Sequence, residues 1–398
     1  MLSPTGHSQY IDPAFLFGVE GQVAVVTGGG TGIGLMIATA LENNGATVYI
    51  IGRRLQVLEQ AARDNNRFGK LIPLQGDITS RESLLNIVDA VRRRHGYIDI
   101  LVNNAGIARN LLPAKLPSPL DNIDAVGRAT APPSILAYQQ VLWDTSDPMG
   151  FTESFETNVS AVYQTTVAFL DLLYQGNLRK GILPPKYAAA RATATTPCPP
   201  PHTNGAVSAD NSGRSTPYHS LPPTPPQCTP PPEPSRELPD AREGPNGADA
   251  SSSAHNGTAA NGHAASAPRM HIPEPASHVI TISSSGAFRI DARMLSVSYT
   301  LAKVAVTHLG RLLANLLSDW GIRSNVLAPG VFPSEMTTLQ HLTPAGLAQA
   351  VPVGRAGGLT DMAGPILFLA GRAGAYVNGA VWLVDGGRVG SLPNSYQW

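Results

Sequence analysis

Tyr299-Thr300-Leu301-Ala302-Lys303 places a phenol and an ammonium at i and i+4, on one face of a helix. A tyrosine hydroxyl titrates near ~10, too high for ready proton exchange at neutral pH, and a neighbouring cation would lower it. Upstream, Ser284 follows an apolar β-branched run, His278 to Ser283 (HVITIS), where a hydroxyl could polarise a carbonyl. Together these residues suit proton transfer at a carbonyl or hydroxyl oxygen. Alone, Tyr-x-x-x-Lys is most often a solvated helix face. A second group is Thr27-Gly28-Gly29-Gly30-Thr31-Gly32-Ile33-Gly34. Its glycines permit a tight turn and let backbone N–H groups approach a pyrophosphate at a helix N-terminus. A turn that holds nothing would look similar, but the strand–turn–helix context favours the ligand. A third is Gly52-Arg53-Arg54, where a carboxylate for a ribose 2′-hydroxyl would otherwise stand. A guanidinium there can pair with a 2′-phosphate, so the residues favour NADP(H) over NAD(H). One of the two arginines is expected to be only a solvated charge.

These groups need a frame, and the chain supplies one. Gln22–Thr27, Thr47–Ile51, Leu71–Leu74 and Ile98–Asn103 read as short buried strands. Gly32–Asn43, Leu55–Asn65 and Arg81–Arg94 read as the helices between them, the last with a basic C-terminal turn that suits its dipole. Phe151–Tyr174 reads as a further helix and His278–Ser283 as a strand. Tyr299–Ser318 and Thr360–Ala370 are helices alternating with strands Ser324–Ala328 and Ala380–Val384. Alternation at this spacing predicts right-handed βαβ units and an α/β fold: a Rossmann-type, doubly wound parallel sheet of about seven strands. Ligands bind beyond the carboxyl ends of such strands.

The motifs, taken in order, resemble those of the short-chain dehydrogenase/reductase family. They are TGGGTGIG (Thr27–Gly34), Asp77-Ile78-Thr79, Asn103-Asn104-Ala105-Gly106, Asn158, ISSS (Ile282–Ser285), YTLAK (Tyr299–Lys303) and Pro329-Gly330-Val331. The resemblance implies a catalytic set of Asn158, Ser284, Tyr299 and Lys303. Tyr299 would be the general acid or base, Ser284 would hydrogen-bond the substrate oxygen, and Asn158 would hold a water in the proton relay. Lys303 would bind the nicotinamide ribose and lower the tyrosine pKa. The implied cofactor-binding set is Gly28, Gly32, Ile33, Gly34, Arg53, Asp77, Asn104, Tyr299, Lys303 and Val331. Asp77 would meet the adenine, Asn104 would line the groove, and Val331 would contact the nicotinamide amide. Thr31 departs from the basic residue often found there in NADP-preferring members. Three consecutive serines leave Ser285 as the runner-up to Ser284. The apolar, weakly charged content of Phe332–Ala350 suggests a lipophilic carbonyl, though core packing would explain it equally well; within it, Phe332–Thr337 resembles the version in reductases acting on 3-oxoacyl thioesters. Dimers or tetramers are implied by the same resemblance.

Length and composition set the limits. At ~150 residues per domain, 398 residues would suggest two or three domains. Yet twenty of the 35 prolines and both cysteines, Cys198 and Cys228, fall within residues 184–275. Such a segment buries too little apolar surface to offset chain entropy and is expected to be disordered. The expectation is one domain, residues 20–398, after an N-terminal extension, 1–19. Residues 107–150 interrupt it on the ligand side, and 184–275 on the opposite side. Equal numbers of basic and acidic residues without a long basic run argue against a nucleic-acid partner. No apolar run approaches the ~20 residues of a membrane span. Nothing suggests a secretory leader or a metal site, so a cytoplasmic enzyme with a small-molecule carbonyl or alcohol substrate is expected. The rival readings are an NAD-dependent alcohol dehydrogenase and a non-catalytic dinucleotide-binding scaffold. The second would use PxxP spacing (Pro222 with Pro225, Pro223 with Pro226) to dock a partner, and the intact Ser–Tyr–Lys set speaks against it.

Overall fold

The computed structural model describes residues 11–113, 116–122, 126–128, 135–194, 274–290, 295–337 and 343–390. Seven strands form one sheet: β1 Val23–Thr27, β2 Thr47–Gly52, β3 Leu71–Gln75, β4 Ile100–Asn103, β5 His278–Ile282, β6 Arg323–Pro329 and β7 Val381–Val384. Every pairing is parallel and the order is β3-β2-β1-β4-β5-β6-β7. The helices are α1 Pro13–Phe17, α2 Gly32–Glu42, α3 Leu55–Asn65, α4 Arg81–Arg94, α5 Ile135–Asp144, α6 Pro148–Phe155, α7 Ala161–Ala168, α8 Leu170–Arg179, α9 Pro185–Ala194, α10 Val297–Leu316, α11 Pro344–Ala350 and α12 Leu359–Ala370. A turn of π-helix, Glu156–Ser160, joins α6 to α7.

The period-2 alternation of the strands divides the core in two. Ala24 and Val26 of β1 face Ile37, Leu41, Leu58, Met362 and Ile366, from α2, α3 and α12. Val23 and Val25 face Leu84, Val91, Leu172 and Leu313, from α4, α8 and α10. Both faces are therefore covered, as the uninterrupted apolar strands require. The order reverses at β1, which has β2 on one side and β4 on the other. The crevice at the carboxyl ends of β1 and β4 is where such sheets accept ligands.

The helix expected over Phe151–Tyr174 begins earlier and is not continuous. Asp147 caps α6 through Met149 N and Gly150 N, with Pro148 in the first turn. Proline is tolerated at that first position, where no intrahelical N–H bond is needed. Within 107–150, α5 also forms. The span 184–275 is not wholly without structure either, because α9 occupies its start, again with proline at the first helical position. Residues 195–273, with Cys198, Cys228 and the PxxP motifs, lie outside the described residues. The chain enters β5 at the amino end of the sheet, where Lys180 Nζ donates to Pro275 O at 2.9 Å. Buried Asp99, also at that end, accepts from Val23 N at 2.8 Å and pairs with Arg179 and Lys180. Among the described residues, no helix is long and apolar enough to cross a membrane, and no group of three or more His, Cys, Asp or Glu side chains could hold a metal.

Candidate functional site

The glycine turn lies at the carboxyl end of β1. Gly28 has φ 65° and Gly32 φ 52°, a backbone that disfavours any other residue type. Gly34 must lack a side chain because a Cβ there would overlap the Gly28 carbonyl oxygen. Thr31 is the N-cap of α2 yet lends no side-chain hydrogen bond, and no acidic residue occupies the first turn. The N–H groups of Gly32, Ile33 and Gly34, orphaned as at any helix start, thus keep an uncapped positive end suited to a pyrophosphate. Asn104, at the end of β4, does more than line this groove. Its Nδ2 donates to Thr27 O at 3.0 Å and Gly28 O at 3.2 Å, while its N–H donates to Thr27 Oγ1 at 3.0 Å. It staples β4 to the turn.

After β3, Thr79 N and Oγ1 donate to Asp77 Oδ1 at 2.9 and 2.7 Å. Burial pushes the Asp77 carboxyl up, but these bonds and the positive charge of Arg53 outweigh it and hold the group below its ordinary value. The two arginines after β2 are not alike. Arg54 Nη2 donates to both carboxylate oxygens of Glu335, at 2.7 and 2.9 Å. Exposed Arg53 forms no ion pair among the described residues.

Around Tyr299 the three serines separate by role. Ser283 is buried, its Oγ 3.1 Å from Lys303 O and 2.5 Å from Thr307 Oγ1. Ser285 is buried too. Ser284 is half-buried, accepts from Gly286 N at 3.0 Å, and hydrogen-bonds Tyr299. Lys303 Nζ donates to Ile282 O at 2.9 Å and lies 5.7 Å from the centre of the Tyr299 ring. Burial brings the Lys303 ammonium down to about 8. The Tyr299 hydroxyl is pushed up by burial, with the Ser284 hydrogen bond opposing. The lowering of the tyrosine pKa expected from Lys303 is therefore not seen in this arrangement: desolvation of the phenolate dominates.

Asn158 lies in the π turn, a distortion frequent at functional sites, and is buried. Its Oδ1 accepts from Ile107 N and its Nδ2 donates to Ile107 O, both at 2.9 Å. A Cβ on Gly106 would lie 2.7 Å from Asn158 Oδ1 and 3.5 Å from Lys303 Nζ, so the glycine lets both side chains close on the same backbone. Val331 leaves β6 and accepts from Gly357 N at 2.9 Å. Phe332 is buried in the core, so it does not supply the apolar lining expected of the Phe332–Ala350 stretch, of which residues 338–342 lie outside the described residues.

The structure adds Asn110, which the motifs did not single out. It is the one non-glycine residue with positive φ (51°) among those described. Its Nδ2 donates to Thr145 O and Asp147 O, both at 2.9 Å, and its Oδ1 accepts from Ser298 Oγ at 3.0 Å. It thus ties the start of the insertion to the cap of α6 and to the residue before Tyr299. Leu111 pairs with Ser296 across an antiparallel bridge, which ties the start of the 107–150 segment to the residues leading into Tyr299.

Residues 22–181 match the family model described as short chain dehydrogenase, and residues 253–388 match that described as Enoyl-(Acyl carrier protein) reductase. The short-chain dehydrogenase/reductase PhomF of Diaporthe leptostromiformis is 34% identical over 96% of both chains. The rhamnolipids biosynthesis 3-oxoacyl-(acyl-carrier-protein) reductase of Pseudomonas aeruginosa is 24% identical, covering 93% of this chain and 97% of its own. Among solved structures, the Pseudomonas aeruginosa RhlG/NADP active-site complex shares the fold. Its TM-score is 0.58 at 23% identity, over 94% of this chain and 99% of that one.

Proposed function

The chain belongs to the short-chain dehydrogenase/reductase family, and on that footing we propose that it is an NADP(H)-dependent carbonyl reductase or alcohol dehydrogenase. Its substrate would be a lipophilic ketone or secondary alcohol, or a 3-oxoacyl thioester. The observation behind this reading is the convergence of Ser284, Tyr299, Lys303 and Asn158 beside the uncapped glycine turn, at the carboxyl ends of β1, β4 and β5. The hydride exchanged with the substrate carbon is supplied by the bound nicotinamide. In reduction, Tyr299 gives its phenolic proton to the carbonyl oxygen while Ser284 hydrogen-bonds that oxygen; oxidation reverses both. Lys303 holds the nicotinamide ribose. Asn158 fixes Ile107, and its second amide hydrogen and lone pair remain able to hold a water of the proton relay.

Arg53, exposed at the carboxyl end of β2, is the group offered to a 2′-phosphate, and Asp77 is placed for the adenine. A 3-oxoacyl substrate is supported by the likeness to the rhamnolipids reductase. Exposed Leu111 and Leu295, on the two segments flanking Tyr299, offer apolar surface at the same mouth. Leu301, Val304, Leu312 and Leu316 form an exposed stripe along α10, which supports assembly of like subunits. The direct test is NADPH oxidation against a panel of ketones and 3-oxoacyl thioesters. Turnover of at least one, lost in Tyr299→Phe, is expected; if the variant keeps most of its kcat, the mechanism is wrong. Arg53→Asp should reverse the preference between NADPH and NADH.

A further inference from the structure

Glu335 lies far from β2 in sequence, yet both its carboxylate oxygens are taken by Arg54. It is held there by a turn that closes on itself. Thr337 N donates to Ser334 O at 3.0 Å, Thr337 Oγ1 donates to Phe332 O at 2.8 Å, and Ser334 Oγ lies 3.0 Å from Thr337 Oγ1. Buried Phe332 anchors the start of the turn. Its middle lies over the glycine turn, since a Cβ on Gly32 would be 3.0 Å from Ser334 Cβ. A carboxylate from the β6 side is thus delivered to the end of β2, where the ribose 2′ position of a bound dinucleotide falls in this fold.

We propose that Glu335 is a specificity-determining residue for the cofactor, holding Arg54 in an ion pair that a 2′-phosphate must displace. Glu335 stands in for the carboxylate that NAD-preferring sites place on β2 itself, but acts through Arg54. Both side chains are 59% exposed, so the pair is weak enough to exchange partners. A single nitrogen, Nη2, meets both Glu335 oxygens, and a guanidinium that gives up a carboxylate regains charge-assisted hydrogen bonds from a phosphate. The cost of that exchange falls on NADPH alone, because NADH carries no group that competes for Arg54. Two cations and one anion therefore set the preference: Arg53 offers affinity for the 2′-phosphate, and Glu335 withholds part of it.

This inference rests on the dinucleotide-dependent reading above, and direct binding separates the two. Dissociation constants for NADPH and NADH are measured on the full chain by fluorescence titration, for the wild type and Glu335→Gln. Binding of neither dinucleotide to the wild type would sink both readings. With binding present, Glu335→Gln is expected to tighten NADPH about three- to fivefold relative to NADH, the range of an exposed ion pair. An unchanged ratio overturns the role of Glu335 while leaving the enzyme reading intact. In an Arg54→Gln background, Glu335→Gln should shift the ratio by less than about twofold. A full shift there would overturn the action through Arg54.

Discussion

Tyr299 and Lys303 are moved by the same physical cause in opposite senses. Burial disfavours the phenolate and the ammonium alike, so the hydroxyl is pushed up and the lysine comes down to about 8. For Lys303 the sign of the pH dependence follows. Unfolded, it binds its proton up to its ordinary 10.5; folded, it releases it near 8. The unfolded chain therefore holds more protons across that window, and this group's contribution to stability rises with pH between about 8 and 10.5. The penalty at neutral pH is roughly 3 kcal/mol. Urea unfolding of the wild type and Lys303→Met at several pH values should show their difference moving in favour of the wild type by up to about 1.4 kcal/mol per pH unit in that window. Parallel profiles would mean that Lys303 is not desolvated. Tyr299→Phe should lower kcat by about 10²- to 10⁴-fold, the range of a lost general acid, with a far smaller effect on the NADPH dissociation constant. At this scale the sequence was largely legible, because Tyr299 and Lys303 share one helix turn. Among the serines the family pattern chose Ser284 with Ser285 as runner-up, and the packing of Ser283 against Lys303 and Thr307 turns that third hydroxyl away.

At the level of elements, the site depends on two junctions. The first joins β1 to α2, where a Gly34→Ala side chain would meet the Gly28 carbonyl oxygen and Asn104 Nδ2. Backbone cannot step aside cheaply, so dinucleotide affinity should fall by at least about tenfold. A titration showing wild-type affinity would remove the turn from the cofactor site. The second junction is Asn110, which joins the start of the insertion to α6 and α10. Asn110→Ala removes three hydrogen bonds and keeps a Cβ at positive φ, so a loss of about 2–4 kcal/mol in urea unfolding is expected. Asn110→Gly loses the same bonds but relaxes the backbone, and should be less destabilised. The reverse order would refute a cost from φ. Strand positions were readable from apolar runs, whereas α5 and the start of α6 were not. α5 shows no convincing periodicity, and Pro148 marks no helix start by itself; it fits because the first helical position needs no intrahelical N–H bond. Asn110 left one faint signal, the tolerance of asparagine for left-handed backbone.

For the molecule as a whole, the stripe along α10 and exposed Tyr163 and Val167 on α7 give the oligomer a concrete test. Sedimentation should show a dimer or tetramer for the wild type and a smaller species for Leu312→Arg; a monomeric wild type would end that expectation. The sequence by itself determined the sheet and the glycine turn and put Tyr299 and Lys303 on one helix face, because each is written in residues close along the chain: alternation within a strand, one strand-to-helix junction, one turn of helix; Asn158 and Ser284 were added only by the family resemblance. Tertiary structure decided which serine faces Tyr299, which arginine pairs with Glu335, and where the start of the 107–150 segment is tied down. Those outcomes rest on Ser283 meeting Lys303 and Thr307, Glu335 meeting Arg54, and Asn110 meeting Ser298. Such contacts join distant parts of the chain, and no local pattern records them.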